Sequence, residues 1–436
     1  MEAWDRSLIT EYKEDKVMKT MSLMDLTAKL VGFNTVSSES SLLMADFICE
    51  YLEGCGFVIE KYPYQDPAGV KKVNVIARKG GQESELVFSG HMDTVPFGPG
   101  WDGSPLVLVE KDLKDVGKVF QGLGIADMKF FLAVAMKAGE AISAAELKQP
   151  FALCFTSDEE VGCVGAKKLS TAVKQQGRTI GRYVVIGEPT KCRPIYAHKG
   201  YIFLEVIIGA FKDKHGTSGD TDNACHSSDP STTTNVVEKA LGAVIEELCQ
   251  FRRSLEKVTD SRFKPAFPTM NIGGNILIGR ITKDEKLEKP DKVAKNIIPR
   301  GFMIEGDIRP IPGQDPEDLI KILRSNIEER IRGIKTTVPD EKFYIRVGYR
   351  NSPSYPMETS KDSVIVKVAE EISGLRTGTE SFNTEGNVFN VAGSETVIWG
   401  PSNIKQAHKD NEFVLAELFK EETVEKYIRL IRRICV

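Results

Sequence analysis

Long apolar runs are missing from this 436-residue sequence. No segment approaches the ~20 apolar residues of a membrane-spanning helix, and the mixed-charge start MEAWDRSLITEYKEDKVMKT has no apolar centre for a secretory leader. A charge excess is missing too. With 58 Lys and Arg against 62 Asp and Glu, the formal net charge of -4 gives no long-range pull on nucleic acid or an anionic membrane. Paired cysteine spacing is also absent: Cys49, Cys55, Cys154, Cys163, Cys192, Cys225, Cys249 and Cys435 are scattered without a CxxC, several in apolar runs, as reduced core thiols are in a cytosolic protein. There is no G-x-S-x-G elbow and no P-loop, and GLGIAD starts like a dinucleotide fingerprint but carries Asp127 where its third glycine belongs. Serine-hydrolase, nucleotide-hydrolase and dinucleotide-binding readings therefore lack their essential groups. What remains is a soluble, cytoplasmic protein that acts on a small molecule, with no nucleic acid or membrane partner.

What is present is a globular pattern, 41% hydrophobic and too long for one ordinary core. Helical spacing from LMDLTAKLVGF through ADFICEYLEGCGF gives way to strand-like NVIARKG and ELVFSGH, then to a helix beginning just after Asp127. FALCFTS, YVVIG and ETVIWG are short β-rich runs of the kind a covered parallel sheet buries on both faces. This predicts an α/β catalytic domain. The middle differs. YAHKGYIFLEVIIGA alternates as one strand, NVVEKALGAVIEELCQFRRSL is a long helix, and strands around PTMNIGGNILIG and NIIPRGFMIEGDIRP lead to the helix PEDLIKILRSNIEERI and the strand KFYIRVGYR. That β-α-β-β-α-β order predicts an inserted ferredoxin-like (α+β) domain over 194–353, between catalytic parts 1–193 and 354–436. KDKHGTSGDTDNA is read as a polar loop.

Histidine is scarce, five in all. Two of them share an unusual setting. ELVFSG ends at His91 with Asp93 beyond, FALCFTS ends at Asp158, Glu159 and Glu160, and YVVIG ends at Glu188. ETVIWG leads through a short loop to His408, and Asp127 stands immediately before a helix. Open α/β sheets bind ligands outside the carboxyl ends of their strands, so these groups mark a site. Carboxylates crowded in one cleft repel unless a cation offsets them, and imidazole plus carboxylate is a ligand set for zinc-like divalent ions. Five such ligands exceed the three that one catalytic zinc generally uses; two ions about 3.5–4 Å apart, sharing one carboxylate, would use them all. Glu159 and Glu160, as neighbours on an extended segment, would point to opposite sides, one binding and the other free as a general base.

The ordered series SGHMDTVP, GLGIADMK, TSDEEVG, IGEPT, HSSDP and GPSNIKQAH resembles the motifs of the di-zinc amidohydrolases of the aminoacylase type, the M20 metallopeptidases, from about residue 22 to the C-terminus. Within that family AHKGYI, DIRPIPG, the Thr384-Glu385 pair and GPSNIKQAH are most similar to the acetylornithine deacetylases. The resemblance implies two Zn2+ per subunit, with Co2+ able to substitute. It implies that His91, Asp127 and Glu188 hold one ion and that Glu160 and His408 join a bridging Asp127 on the other. Glu159 would be the base, and Asp93 would hydrogen-bond His91 and fix its tautomer. His226 would polarise the scissile carbonyl from across a homodimer. The implied activity is hydrolysis of N2-acetyl-L-ornithine, as in arginine biosynthesis. The alternatives are another N-acyl-amino-acid deacylase, a desuccinylase or a dipeptidase, and a non-catalytic scaffold would require a missing ligand or base, which is not the case. Arg309 and Asn296, with Thr384 and Glu385, are candidate substrate contacts; a surface salt bridge is the plain alternative for Arg309. A local turn is the plain alternative for Asp93, and His198 and His215 read as structural or solvated.

Overall fold

A computed structural model of the protein describes residues 21–211, 237–281, 287–288, 301–334 and 342–436. Their contacts form two compact units, Met1–Ser157 with Pro401–Val436, and Asp158–Gly400.

In the first unit, strands Val58–Gln65, Lys71–Lys79, Phe151–Thr156 and Leu86–His91 lie side by side in that order. The first three pair antiparallel, whereas Leu86–His91 runs parallel to Phe151–Thr156 and sets His91 opposite Thr156. Every residue of these two parallel strands is buried, which is why neither alternates in sequence. Helices Phe130–Glu140 and Glu421–Cys435 pack together beside them, with the Tyr427 ring 5.7 Å from Phe88 and 5.5 Å from Phe131. Burying one such aromatic side chain is worth about 1.5–3 kcal/mol. Helix Leu23–Val31 starts where the Ser22 hydroxyl accepts the Asp25 N–H, filling a donor the first turn leaves unpaired. A small sheet of Val109–Leu113, Gly117–Gln121 and Phe413–Leu415 completes the unit.

In the second unit, Glu395–Ile398 runs parallel to Tyr183–Ile186 and meets Ile195–His198 antiparallel. The sheet of the expected α/β domain is thus a mixed one. The run YAHKGYIFLEVIIGA is also not one strand: it breaks into Ile195–His198 and Ile202–Phe211. The break falls at Gly200, where a β-carbon would come 2.5 Å from the Ser354 carbonyl oxygen and 2.8 Å from the Pro356 nitrogen, so only glycine admits that chain so closely.

The ferredoxin-like part is a separate antiparallel sheet. Its order is Leu287–Glu288, Thr269–Ile281, Gly301–Arg309, Ile202–Phe211, Lys342–Tyr349, so the two strands joined through a helix are never neighbours, as a split βαβ unit requires. Helices Gly242–Leu255 and Pro316–Arg332 cover it through Val244, Leu248, Phe251, Ile320, Leu323 and Ile327. Helix Pro316–Arg332 carries its own start and stop signals: Asp315 accepts the Glu317 and Asp318 N–H groups, proline opens the first turn, and Arg330 and Arg332 close the last. Among the described residues no helix is long and apolar enough to cross a membrane, and the seven described cysteines are free thiols.

Candidate metal centre

His91 ends its strand almost wholly buried, and the glycine before it decides what it meets. A β-carbon on Gly90 would lie 2.6 Å from Met128 Cε and 2.8 Å from Leu132 Cδ2; its absence lets the irregular turn Ile125–Lys129 close against the strand end. Asp127 and Met128 depart from helical dihedral angles in that turn, and Asp127 Oδ1 comes to rest 3.1 Å from His91 Nε2. On the other side of the ring, Nδ1 is 2.9 Å from the backbone carbonyl oxygen of Asp93. The Asp93 carboxylate stands further off, Oδ1 at 3.8 Å, while Oδ2 accepts a hydrogen bond from Ser37 Oγ at 2.8 Å. A carbonyl oxygen can only accept, so Nδ1 carries a proton and Nε2 is the ring atom that faces the carboxylate. Two acceptors at 3.1 Å repel unless a proton or a metal cation lies against both, and that is the donor set a divalent ion takes.

His408 Nε2 lies 3.4 Å from the second oxygen, Asp127 Oδ2. Burial alone would raise the Asp127 carboxyl, but hydrogen bonds from His408 and His91, and their charge when protonated, hold it below the usual carboxylate range. The His408 backbone is left-handed, φ 61°, an uncommon state for a side-chain-bearing residue that persists where neighbouring structure enforces it. Here Asp410 accepts the Gly98 and Gly100 N–H groups, and Asn411 bonds Asp102 N and Gly100 O. Glu412 then reaches the Asp127 turn itself, accepting N–H groups from Gly124 (2.8 Å), Ala126 (2.6 Å) and Asp127 (3.0 Å). Burial and the nearby Asp127 charge push the Glu412 carboxyl up to about 8, against the pull of those three donors. Buried Lys129 donates to the Phe33 carbonyl oxygen, and burial lowers its ammonium to about 7, opposed by Glu412 and Asp93. Sequence reasoning found neither Glu412 nor Lys129; a charged residue near a site motif was the available signal, and burial was not legible.

In the second unit, Asp158–Cys163 is a tight turn rather than the expected extended segment. Asp158 has φ 60°, the Glu159 carbonyl oxygen accepts the Gly162 and Cys163 N–H groups, and the Asp158 carbonyl oxygen accepts Val164 N–H at 2.9 Å. Opposite-face alternation therefore does not separate Glu159 from Glu160. A different contact distinguishes them: the Cys163 thiol donates to Glu159 Oε1 at 3.2 Å. Burial and the facing Glu159 push that thiol well above its usual pKa, so it remains a donor. Glu188 is buried just past Tyr183–Ile186, where the Gly400 backbone abuts Gly187 and Glu188 closely enough that any β-carbon on residue 400 would overlap them.

Within the first unit two of the expected ligands, His91 and His408, stand beside a third, Asp127, while Glu159, Glu160 and Glu188 lie in the second unit. His198 is buried and fixed, with Nδ1 2.8 Å from the Lys199 carbonyl oxygen and Nε2 3.1 Å from Thr384 Oγ1; burial lowers its pKa to about 4. Thr384 and Glu385 are 0% exposed, and the Thr384 hydroxyl also accepts the Gly386 N–H. Arg309 sits 3.8 Å from Asp307 and over the Tyr201 ring at 4.9 Å. Asn296, His226, His215 and the polar loop lie outside the described residues.

The model of peptidase family M20/M25/M40 matches residues 87–435, and the chain belongs to that family of metal-binding hydrolases. Among curated proteins it is 33% identical over 393 residues to an acetylornithine deacetylase of Myxococcus xanthus, covering 89% of this chain and 91% of that one. It is 30% identical over 429 residues to an acetylornithine deacetylase of Proteus mirabilis, covering 96% and 98%. Of solved structures, a tripeptidase from Staphylococcus aureus matches with a TM-score of 0.65 at 17% identity, covering 94% of this chain and 97% of that one. An M20 family metallo-carboxypeptidase from Sulfolobus solfataricus matches with a TM-score of 0.65 at 18% identity, covering 95% and 100%. At such identities these two speak for the fold.

Proposed function

We propose that this hydrolase removes the acetyl group of N2-acetyl-L-ornithine, giving L-ornithine and acetate. The likeness to acetylornithine deacetylases along nearly the whole chain supports the substrate. His91 Nε2 facing Asp127 Oδ1 at 3.1 Å, with Nδ1 held by the Asp93 carbonyl oxygen, is the observation that carries the chemistry. In this reading His91, Asp127 and Glu188 hold one Zn2+, and Glu160 and His408 share Asp127 on a second, with Co2+ able to replace both. Two cations there would make water more acidic and polarise the acyl carbonyl.

Glu159 takes the proton of the attacking water and returns it to the departing amine, and the thiol of Cys163 fixes the direction of its carboxylate. The Asp93 carbonyl holds His91 with Nε2 turned outward. The Arg309 guanidinium suits the substrate α-carboxylate, and the negative charge of Glu385 suits the cationic side chain of ornithine. Thr384, engaged by His198 and Gly386, would hold Glu385 in place rather than touch substrate. Asn296 and His226 belong to the same proposal, His226 reaching the scissile carbonyl oxygen of a partner subunit in a homodimer.

A turnover panel of acetylornithine, acetylcitrulline, acetylmethionine and a dipeptide tests the assignment. The expected result is a kcat/KM for acetylornithine at least ~10-fold above the others, about 1.4 kcal/mol of transition-state discrimination. A preference for any other member rejects the substrate and leaves the metal chemistry standing.

A further inference from the structure

Glu412 has no part in the reaction just proposed, yet its buried carboxylate accepts three backbone hydrogen bonds. Its side chain is 2% exposed. Oε1 accepts the Ala126 and Asp127 N–H groups at 2.6 and 3.0 Å, and Oε2 accepts the Gly124 N–H at 2.8 Å. Its own carbonyl oxygen accepts Gly122 N–H at 3.1 Å. Four backbone donors of one turn thus converge on one residue. That turn needs outside support, because Gly124 is left-handed at φ 71° and Asp127 and Met128 are not helical, so it cannot pair its own N–H groups as a regular helix would. Glu412 also stands four residues after His408, so a single short segment supplies one imidazole beside Asp127 and the clamp on the Asp127 backbone.

We infer that Glu412 is a positioning residue for the metal centre: by clamping the Gly124–Asp127 backbone it aims the two Asp127 oxygens at His91 and His408, so that one carboxylate can serve two ions. This rests on the metal reading above. The chemistry favours a carboxylate at 412 over its amide. A glutamine could keep its oxygen on Ala126 and Asp127 but would turn an NH2 group toward the Gly124 N–H, donor against donor. An alanine would leave three buried N–H groups unpaired.

The experiment uses the full chain, stripped with chelator and titrated with Co2+, with affinity read by calorimetry and coordination by the visible absorption of the bound ion. Variants are Glu412→Gln and Glu412→Ala, with Glu140→Gln as a control. Glu140 also accepts side-chain hydrogen bonds, from Tyr51 and Lys137, but holds no candidate ligand. Far-ultraviolet circular dichroism and the unfolding midpoint of the stripped proteins report folding separately. The expected result is a 10–100-fold weaker Co2+ affinity and an altered spectrum for Glu412→Gln at native circular dichroism, a larger loss for Glu412→Ala, and no change for Glu140→Gln. If wild type binds Co2+ and Glu412→Gln binds it with the same affinity and spectrum, the positioning role is overturned alone. If folded wild type binds no Co2+, the metal reading is overturned and this inference with it.

Discussion

Replacing Gly400 by alanine puts a methyl group where two strands of the second unit already touch. The new β-carbon would lie 2.5 Å from the Gly187 carbonyl carbon and nearer still to the carbonyl oxygens of Gly187 and Glu188. Comfortable separation needs roughly 3.5 Å, so the backbone at 187–188 or at 400 must move by about 1 Å or more. A backbone carbonyl cannot rotate aside as a side chain can, which places the overpacking cost at the upper part of the usual ~1–3 kcal/mol. Two hydrogen bonds of Gly400 are strained by the same movement, Cys192 N–H to its oxygen at 2.8 Å and its own N–H to Thr190 Oγ1 at 3.2 Å. The combined loss is roughly 2–4 kcal/mol, allowing about 1 kcal/mol for each weakened bond. The functional effect arises because the carbonyl that moves belongs to Glu188, a proposed ligand. Misplacing a reacting group by ~1 Å costs on the order of 10²-fold in rate. The assay is urea denaturation, metal content and turnover of Gly400→Ala beside Gly333→Ala, whose site has nothing within 4 Å of a β-carbon. Expected are a lower urea midpoint, loss of up to one ion per chain and about 10²-fold slower turnover for Gly400→Ala alone. Full metal content and unchanged turnover in that variant would refute the packing argument.

Three further outcomes are expected. Glu159→Gln should keep its bound ions and lose about 10²–10⁴-fold in kcat, with little change in KM; loss of the ions instead, measured by metal analysis, would make Glu159 a ligand and Glu160 the base. Thr384→Val removes both the donor to His198 Nε2 and the acceptor for Gly386 N–H, leaving two buried polar groups unpaired at about 1–3 kcal/mol each, a loss that urea denaturation would read. His198, lowered by burial to about 4, refuses a proton that the unfolded chain accepts below about 6.5. Stability is therefore full above pH 6.5 and falls by about 3 kcal/mol toward pH 4, and His198→Asn should show a shallower slope than wild type in urea melts across that window.

The strand-edge residues were legible because a buried parallel strand announces itself as a short apolar run, and whatever polar residue ends it stands at the sheet edge. His91 and Glu188 emerged in that way. The ferredoxin-like order was legible from period alone, since its strands and helices follow one another with little ambiguity. Features that depend on one backbone meeting another far away in sequence were not legible. Gly200 splits a run that alternates without interruption, because the obstacle is the chain at 354–356. Gly400 reads as an ordinary turn glycine until Gly187 is seen against it. Glu412 carries no local signal, since nothing near it in sequence says that a turn some 290 positions earlier needs its oxygens. The extended reading of Glu159 and Glu160 failed for a local reason: Asp158 takes a left-handed conformation and folds the segment into a turn.

The proposed function rests on a cation held by His91 and Asp127, and the direct test is a metal count. The chelator-stripped full chain, dialysed against excess Zn2+ and then against metal-free buffer, should retain two ions per chain by elemental analysis, and His91→Ala should retain at most one. Retention of no ion by the folded wild-type chain, or equal retention by His91→Ala, would contradict the account.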